Sequence, residues 1–401
     1  MFESVQPAPP DPIFGLVEAM RQDPRSDKIN LGAGVYQDET GRTPILDVVK
    51  AAEQRLLDSE TTKSYLPIDG HPDYCPAVRE LILGAGHPAI VDDRAVTAQA
   101  PGGTGALRVV ADMLRDLDRP PRIWISDPTW ANHRKIFRAA GLDQQTYPYY
   151  DPDSHGLAWE AMTSTLDAEV AAGDVVLLHG CCHNPTGVDP TPDQWAALAD
   201  LLERKKALPI LDFAYQGFVH GVDDDAANIR RLAERLPEVI VCSSFSKNLG
   251  LYAERVGAVT LVAPDAAQAK AVLSQIKRSI RANYSNPPTH GASVAATVLL
   301  DAELRQRWRV ELAAMRRRIQ AMRERFAHGL DERGVRLSPK GNGFVIEQNG
   351  MFSYSGLSHE QVHQLREQHG VYMVDSGRLN LAGIHDDNLD RLCDAVAAVT
   401  A

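Results

Sequence analysis

The stretch Ser243-Ser244-Phe245-Ser246-Lys247-Asn248-Leu249-Gly250 sets one lysine among small hydroxyl side chains, with Arg255 eight positions on. Before it lies Glu238-Val239-Ile240-Val241-Cys242, an apolar, β-branched run that reads as a buried strand. A second apolar run, Val256 to Val262, follows. A lysine held between two core strands loses solvation of its ammonium, and its pKa falls. An amine in that state attacks an aldehyde and holds it as a Schiff base. Nearby serines and an arginine can hold an anionic group on the same molecule. Taken alone, the segment fits a surface loop with one solvated lysine equally well.

Other segments carry compatible chemistry. Leu208-Pro209-Ile210-Leu211-Asp212-Phe213-Ala214-Tyr215 reads as a buried strand ending in an aspartate and a tyrosine. Cys181-Cys182-His183-Asn184-Pro185-Thr186-Gly187 follows a strand over 174–179. Pro101-Gly102-Gly103-Thr104-Gly105 opens a helix predicted over Ala106–Leu117. A glycine-rich turn at a helix N-terminus is an anion site, because free N–H groups and the helix dipole point the same way. Glycine clusters also cap many helices that bind nothing. Trp130 lies just past a short strand at Ile123–Ile125, where packing in the core is the default role.

Taken in order, these segments closely resemble the fold-type I, class I aminotransferases that use pyridoxal phosphate. The likeness runs nearly end to end. Dimeric aspartate aminotransferases are the nearest branch, and aromatic aminotransferases come next. The resemblance implies that Lys247 holds the cofactor and then moves a proton on the substrate. It makes Asp212 the partner of the pyridine nitrogen, with His133 behind it, and Asn184 and Tyr215 the partners of the ring oxygen. Trp130 would stack on the ring. Gly103, Thr104, Ser244, Arg255 and the other subunit's Tyr65 would hold the phosphate. Gly34, Trp130 and Asn184 would touch substrate, Arg378 would fork onto its α-carboxylate, and Arg281 would take a side-chain carboxylate across a dimer interface. Gly32 keeps the default role of a turn residue. The implied reaction moves an amino group from L-aspartate to 2-oxoglutarate in two half-reactions, within a homodimer with shared active sites.

Val35, Thr43, Thr104 and Asn286 match the aspartate branch, whereas Gln37 and Ser64 depart from it. An aromatic or dual-specificity aminotransferase is therefore the alternative. The same fold also serves eliminating enzymes and regulator sensor domains. Arg281 argues against the first. A start of the fold within the first dozen residues argues against the second.

Composition bounds the rest. The chain has 401 residues, 44% of them hydrophobic, enough for a large domain and a smaller one. A net charge of −11 and no basic stripe argue against nucleic acid. The five cysteines include an adjacent pair and no C-x-x-C, so free buried thiols in a reducing cytoplasm are expected, with no metal. Residues 1–12 hold four prolines and no apolar h-region, which reads as an extended arm and not a signal peptide. No run approaches ~18 apolar residues, so no membrane span is expected.

The elements needed to hold these residues alternate along the chain. Strands at 174–179, 208–213, 238–242 and 256–262 interleave with helices at 193–205 and 225–236, which argues an α/β sheet covered on both faces. Asn184, Asp212, Tyr215 and Lys247 fall at or just past strand ends, where open α/β sheets place ligands. Further helices are predicted at Ile13–Met20, Pro44–Leu57, about Asp301–Arg333 and Asp387–Val399. The arginines of the long one are assigned mostly to a solvated face. Short strands are predicted at Phe344–Gln348 and Val371–Val374. The resemblance implies a mostly parallel seven-stranded sheet in a large domain over 45–325. A smaller α+β domain would form from 13–44 and 326–401.

Overall fold

A computed structural model describes residues 2–7 and 14–401. Residues 1 and 8–12 of the expected arm, and Ile13, lie outside the described residues. Phe2–Ser4 forms an exposed 3₁₀ turn, and the first helix spans Phe14–Gln22.

Seven strands form the central sheet, in the spatial order 95–101, 256–262, 239–244, 208–213, 175–179, 123–127 and 144–148. The pairings from 239–244 through to 144–148 are parallel. Val256–Val262 is antiparallel to both of its neighbours, so it alone runs the other way. These strands are apolar on both faces because both faces are covered. Val175, Leu177, Ile210 and Ile240 enter one core, while Val176, Leu178, Leu211 and Val241 enter the other.

Register brings the polar strand ends to one edge. His179 lies opposite Asp212, Phe213 opposite Ser243, Gly257 opposite Ser244 and Val256 opposite Pro101. Gly257 admits this closeness: a Cβ there would sit 2.5 Å from the carbonyl carbon of Gly102 and 2.7 Å from the Ser243 oxygen.

Two small pairings lie outside the central sheet, and the first joins the chain's two ends. Ile29–Asn30 runs parallel to Val371–Tyr372, and Phe352–Tyr354 runs antiparallel to Arg378–Asn380. The helix Ala302–Glu332, about 46 Å long at 1.5 Å per residue, runs from the sheet's surroundings toward these pairings. Near its start Trp308 donates its indole N–H to the Asn248 carbonyl at 2.6 Å. Farther along, Arg318 reaches the carbonyls of Asp38, Ala382 and Ile384.

Several expectations need correction. Phe344–Gln348 is not a strand; Gly343–Glu347 is a short helix. A brief apolar run carries no usable period, and here Phe344 stacks on His155 with ring centroids 4.0 Å apart. The helix expected from Ala106 begins at Gly102, so the glycines are its first turn. Arg323, 1% exposed, is the one buried exception among the long helix's otherwise exposed or half-exposed arginines. Cys75 is only partly buried, unlike the other four thiols.

Candidate active site

Lys247 sits in the turn after Val239–Ser244, which Gly250 closes at φ +66° by donating its N–H to the Lys247 carbonyl at 3.2 Å. Its Nζ stands 5.7 Å from the Tyr215 ring centroid and 5.8 Å from that of Tyr252. The side chain opens into a cleft of about 570 Å³, with Asp212, Asn184 and Arg378 on its walls. Enclosure by protein brings the amine down to about 8. Arg255 and Arg378 push the same way, against the pull of Asp212.

Asp212 is buried near the end of Leu208–Phe213. Burial alone would raise its pKa. The hydrogen bond from His133 Nε2, at 3.0 Å, and the positive groups around it leave the carboxyl below its usual value. His133 is oriented from behind by Thr129, 2.8 Å from Nδ1. Beyond His133 stand the rings of His179 and His183, with successive centroids 5.1 and 4.2 Å apart. Burial pushes His179 down to about 3 and His183 well below the ordinary value, so both are neutral. The Asp212 carboxylate is therefore the fixed charge of this wall.

Arg378 is 4% exposed. Its guanidinium donates to the Gly32 carbonyl at 2.6 Å and to Asn184 Oδ1 at 3.3 Å, and it lies 4.3 Å from the Phe352 ring centroid. Burial lowers it to about 10, and its Nε–H has no protein partner. A buried, unpaired donor in a cleft wall suits an anionic ligand.

At the other end of the cleft, Gly102, Gly103 and Thr104 form a helix N-terminus that no side chain caps. A Cβ on Gly103 would come within 3.3 Å of Ser244 Cβ, and one on Gly102 within 2.7 Å of an Arg255 nitrogen. Thr104, Ser244, Ser246 and Arg255 line this end. Uncapped N–H groups, hydroxyls and an arginine form a phosphate-type donor set. A reactive amine, a buried carboxylate and these donors together fit pyridoxal phosphate.

The cleft gathers Gly34, Gly103, Thr104, Trp130, Asn184, Asp212, Tyr215, Ser244, Lys247, Arg255 and Arg378 from the residues singled out in the sequence. Tyr65 and Arg281 are not among them. Tyr65 is 92% exposed and lines a separate cleft of about 840 Å³ with Arg281, whose guanidinium bonds the Ser285 hydroxyl. Gly32 packs against Leu16, in keeping with a turn role. Tyr252 and Phe352 line the cleft without having been singled out. Tyr252 stands five residues from Lys247 and accepts the Tyr36 N–H at 2.9 Å, so its nearness to the lysine was a usable signal. Phe352 lies on a strand too short to announce itself.

The family described as aminotransferase class I and II matches residues 26–396. The chain is 54% identical over 399 residues to the aspartate aminotransferase of Escherichia coli (strain K12), covering 100% of both chains. It is 48% identical to the aromatic-amino-acid aminotransferase of Pseudomonas aeruginosa, covering 100% of this chain and 99% of that one. The crystal structure of the aromatic-amino-acid aminotransferase from Burkholderia pseudomallei, covalently bound to pyridoxal phosphate, superposes with a TM-score of 0.96 at 46% identity over the full length of both chains. A reactive lysine, a buried aspartate and an anion-ready arginine in one cleft meet an end-to-end likeness here, and the chain belongs to the class I and II aminotransferases.

Proposed function

We propose that this aminotransferase exchanges the amino group between L-aspartate and 2-oxoglutarate, using pyridoxal phosphate. One observation carries the reading: Lys247, Asp212 and Arg378 face a single cleft. Full-length relatives named aspartate aminotransferase support the substrate pair. When bound, the cofactor supplies an aldehyde that takes up the amino group and a ring that draws electrons from the substrate α-carbon.

The chain's residues supply placement and proton transfer. Lys247 Nζ, lowered to about 8 by burial, would hold the cofactor and would serve as the base for the proton on the substrate α-carbon. Asp212 presents a fixed carboxylate to the ring nitrogen, and His133 holds that carboxylate in position. Asn184 and Tyr215 hydrogen-bond the ring oxygen, and Trp130 covers the ring face. Gly103, Thr104, Ser244 and Arg255 hold the phosphate. Arg378 binds the α-carboxylate with its fork, while Gly34 and Asn184 border the substrate.

Arg281 and Tyr65 act in the partner's site within a homodimer, which accounts for their exposure together outside the Lys247 cleft. The two ends of the chain, 13–44 and 326–401, form a small domain beside the large one at 45–325. The setting is cytoplasmic. Among the described residues no helix is long and apolar enough to cross a membrane.

The test is direct. The purified protein, loaded with pyridoxal phosphate, receives aspartate and 2-oxoglutarate, and oxaloacetate is followed by coupled NADH oxidation. Turnover of phenylalanine or tyrosine without oxaloacetate from aspartate would select the aromatic reading, which relatives of that name keep in view.

A further inference from the structure

Three arginines of the helix Ala302–Glu332 turn toward backbone carbonyls of segments that carry site residues. Arg316 reaches Gly217 at 2.9 Å, two residues past Tyr215. Arg318 reaches Asp38, Ala382 and Ile384, near Gly34 and Arg378. Arg323 is the most enclosed, with no carboxylate at ion-pair distance among the described residues. It donates to the carbonyls of Val345 at 2.7 Å, Asn349 at 3.2 Å, Gly350 at 2.8 Å and Phe352 at 2.6 Å. A buried cation is costly unless its donors are satisfied. Satisfying them ties 345–352 to one position on the helix.

That segment is locked in turn to the loop that carries Asn184. The Asn349 N–H donates to the Gly187 carbonyl at 2.6 Å, and its Nδ2 donates to Asp189 Oδ2 at 3.1 Å. Half-buried Asp189 also accepts the N–H groups of Cys182 at 2.8 Å and His183 at 2.9 Å, just before Asn184. Gly187, at φ +71°, allows the contact, since a Cβ there would stand 2.7 Å from the Phe352 oxygen. Buried Arg323 and half-buried Asp189 are thus linked through Asn349, one by its backbone carbonyl and the other by its side-chain amide. Beyond this junction, Asn184 and the Phe352 ring flank the Arg378 guanidinium.

We infer that Arg323, working through Asn349 and Asp189, is a positioning residue that sets where Asn184 and Phe352 stand against Arg378. The inference rests on the reading of Arg378 as the substrate-carboxylate group. Those two neighbours orient the guanidinium plane, and a bidentate fork loses its grip when the plane turns. Lys247 hangs from a different strand, so loosening the junction weakens substrate capture more than chemistry.

The holoenzyme variants Asn349→Ala and Arg323→Lys test this. The first keeps the backbone carbonyl that Arg323 binds and removes the side-chain link to Asp189. The second keeps the charge, but one compact ammonium replaces the planar fork. Two quantities are read: KM and kcat for aspartate, and the Kd of succinate, a dicarboxylate without an amine, by calorimetry. KM and Kd should rise together by about tenfold, with kcat within about threefold of the parent. Unchanged KM and Kd in Asn349→Ala would overturn the inference, whatever happens to its melting temperature. So would a fall in kcat at constant KM. If Arg323→Lys does not fold, Asn349→Ala decides alone. A parent protein that binds succinate but makes no oxaloacetate would sink the proposed reaction, while the Kd comparison would still judge the positioning role.

Discussion

His133 Nε2 donates to Asp212 Oδ2 at 3.0 Å, and both groups are buried at the wall of the Lys247 cleft. The bond offsets the desolvation of Asp212 and leaves its carboxyl below the usual range. A carboxylate held ionised there keeps a bound pyridine nitrogen protonated. Asp212→Ala should therefore slow turnover by on the order of 10²-fold or more. An N-methylated cofactor analogue, with its permanent positive charge, should restore part of the rate. Absence of any rescue would assign Asp212 to packing instead.

Lys247→Ala should still take up the cofactor but abolish turnover. Borohydride reduction should fix the cofactor to the parent chain and not to the variant, as read by mass spectrometry. Near-normal turnover in the variant would refute the central assignment.

The depressed pKa of Lys247 also predicts how the cofactor-free protein responds to pH. Its folded value, about 8, lies below the ordinary lysine value of 10.5. Between those values the unfolded chain binds the extra proton, so stability rises with pH across that window. Below pH 8 the full cost of burying the ammonium is present. Lys247→Met should therefore be more stable than the parent at pH 7 in urea melts, with the gain shrinking between pH 8 and 10.5. A gain that stays constant across that range would contradict the assigned pKa.

Arg281 supplies the test of shared sites. On the proposed role, Arg281→Leu would leave a substrate carboxylate without its partner, which typically costs about 3–5 kcal/mol. Aspartate turnover should fall roughly 10²–10⁴-fold, and turnover of an aromatic amino acid should fall far less. Mixing Arg281→Leu with Lys247→Ala subunits should restore activity, because one site of each mixed dimer then has both residues intact. Mixed dimers shown to form yet remaining inactive would place Arg281 in its own subunit's site.

Glu311 caps a helix that has no cap of its own. Its carboxylate accepts the N–H groups of Asp47 at 2.8 Å and Val48 at 3.0 Å, while the local N-cap residue is Leu46. Glu311→Ala should cost about 1 kcal/mol, read as a lower urea midpoint with an unchanged slope. No shift in midpoint would mean that solvent serves those N–H groups equally well.

Local sequence determined the sheet and most of the cleft. Val239–Cys242 and Val256–Val262 are mostly apolar and rich in β-branched residues, and polar residues of the cleft follow such runs closely. Lys247, Asp212 and Asn184 were legible because buried parallel strands must end in loops, and those loops share one edge. Gly103 and Thr104 stood out only beside the lysine loop, because a glycine-rich helix start by itself also caps helices that bind nothing.

Tertiary structure decided what depends on partners far along the chain. Arg323 looks like its solvated neighbours until four carbonyls from 345–352 surround it. Phe344 sits in a short helix with the distant His155 stacked on its ring, and Phe352 becomes the face beneath Arg378 only when the strands 352–354 and 378–380 pair. Glu311 becomes a cap by meeting a helix that begins at Asp47. Periodicity reports which face of an element is buried. It carries no information about which distant group will be there, and the charge state and role of a buried side chain are set by that group.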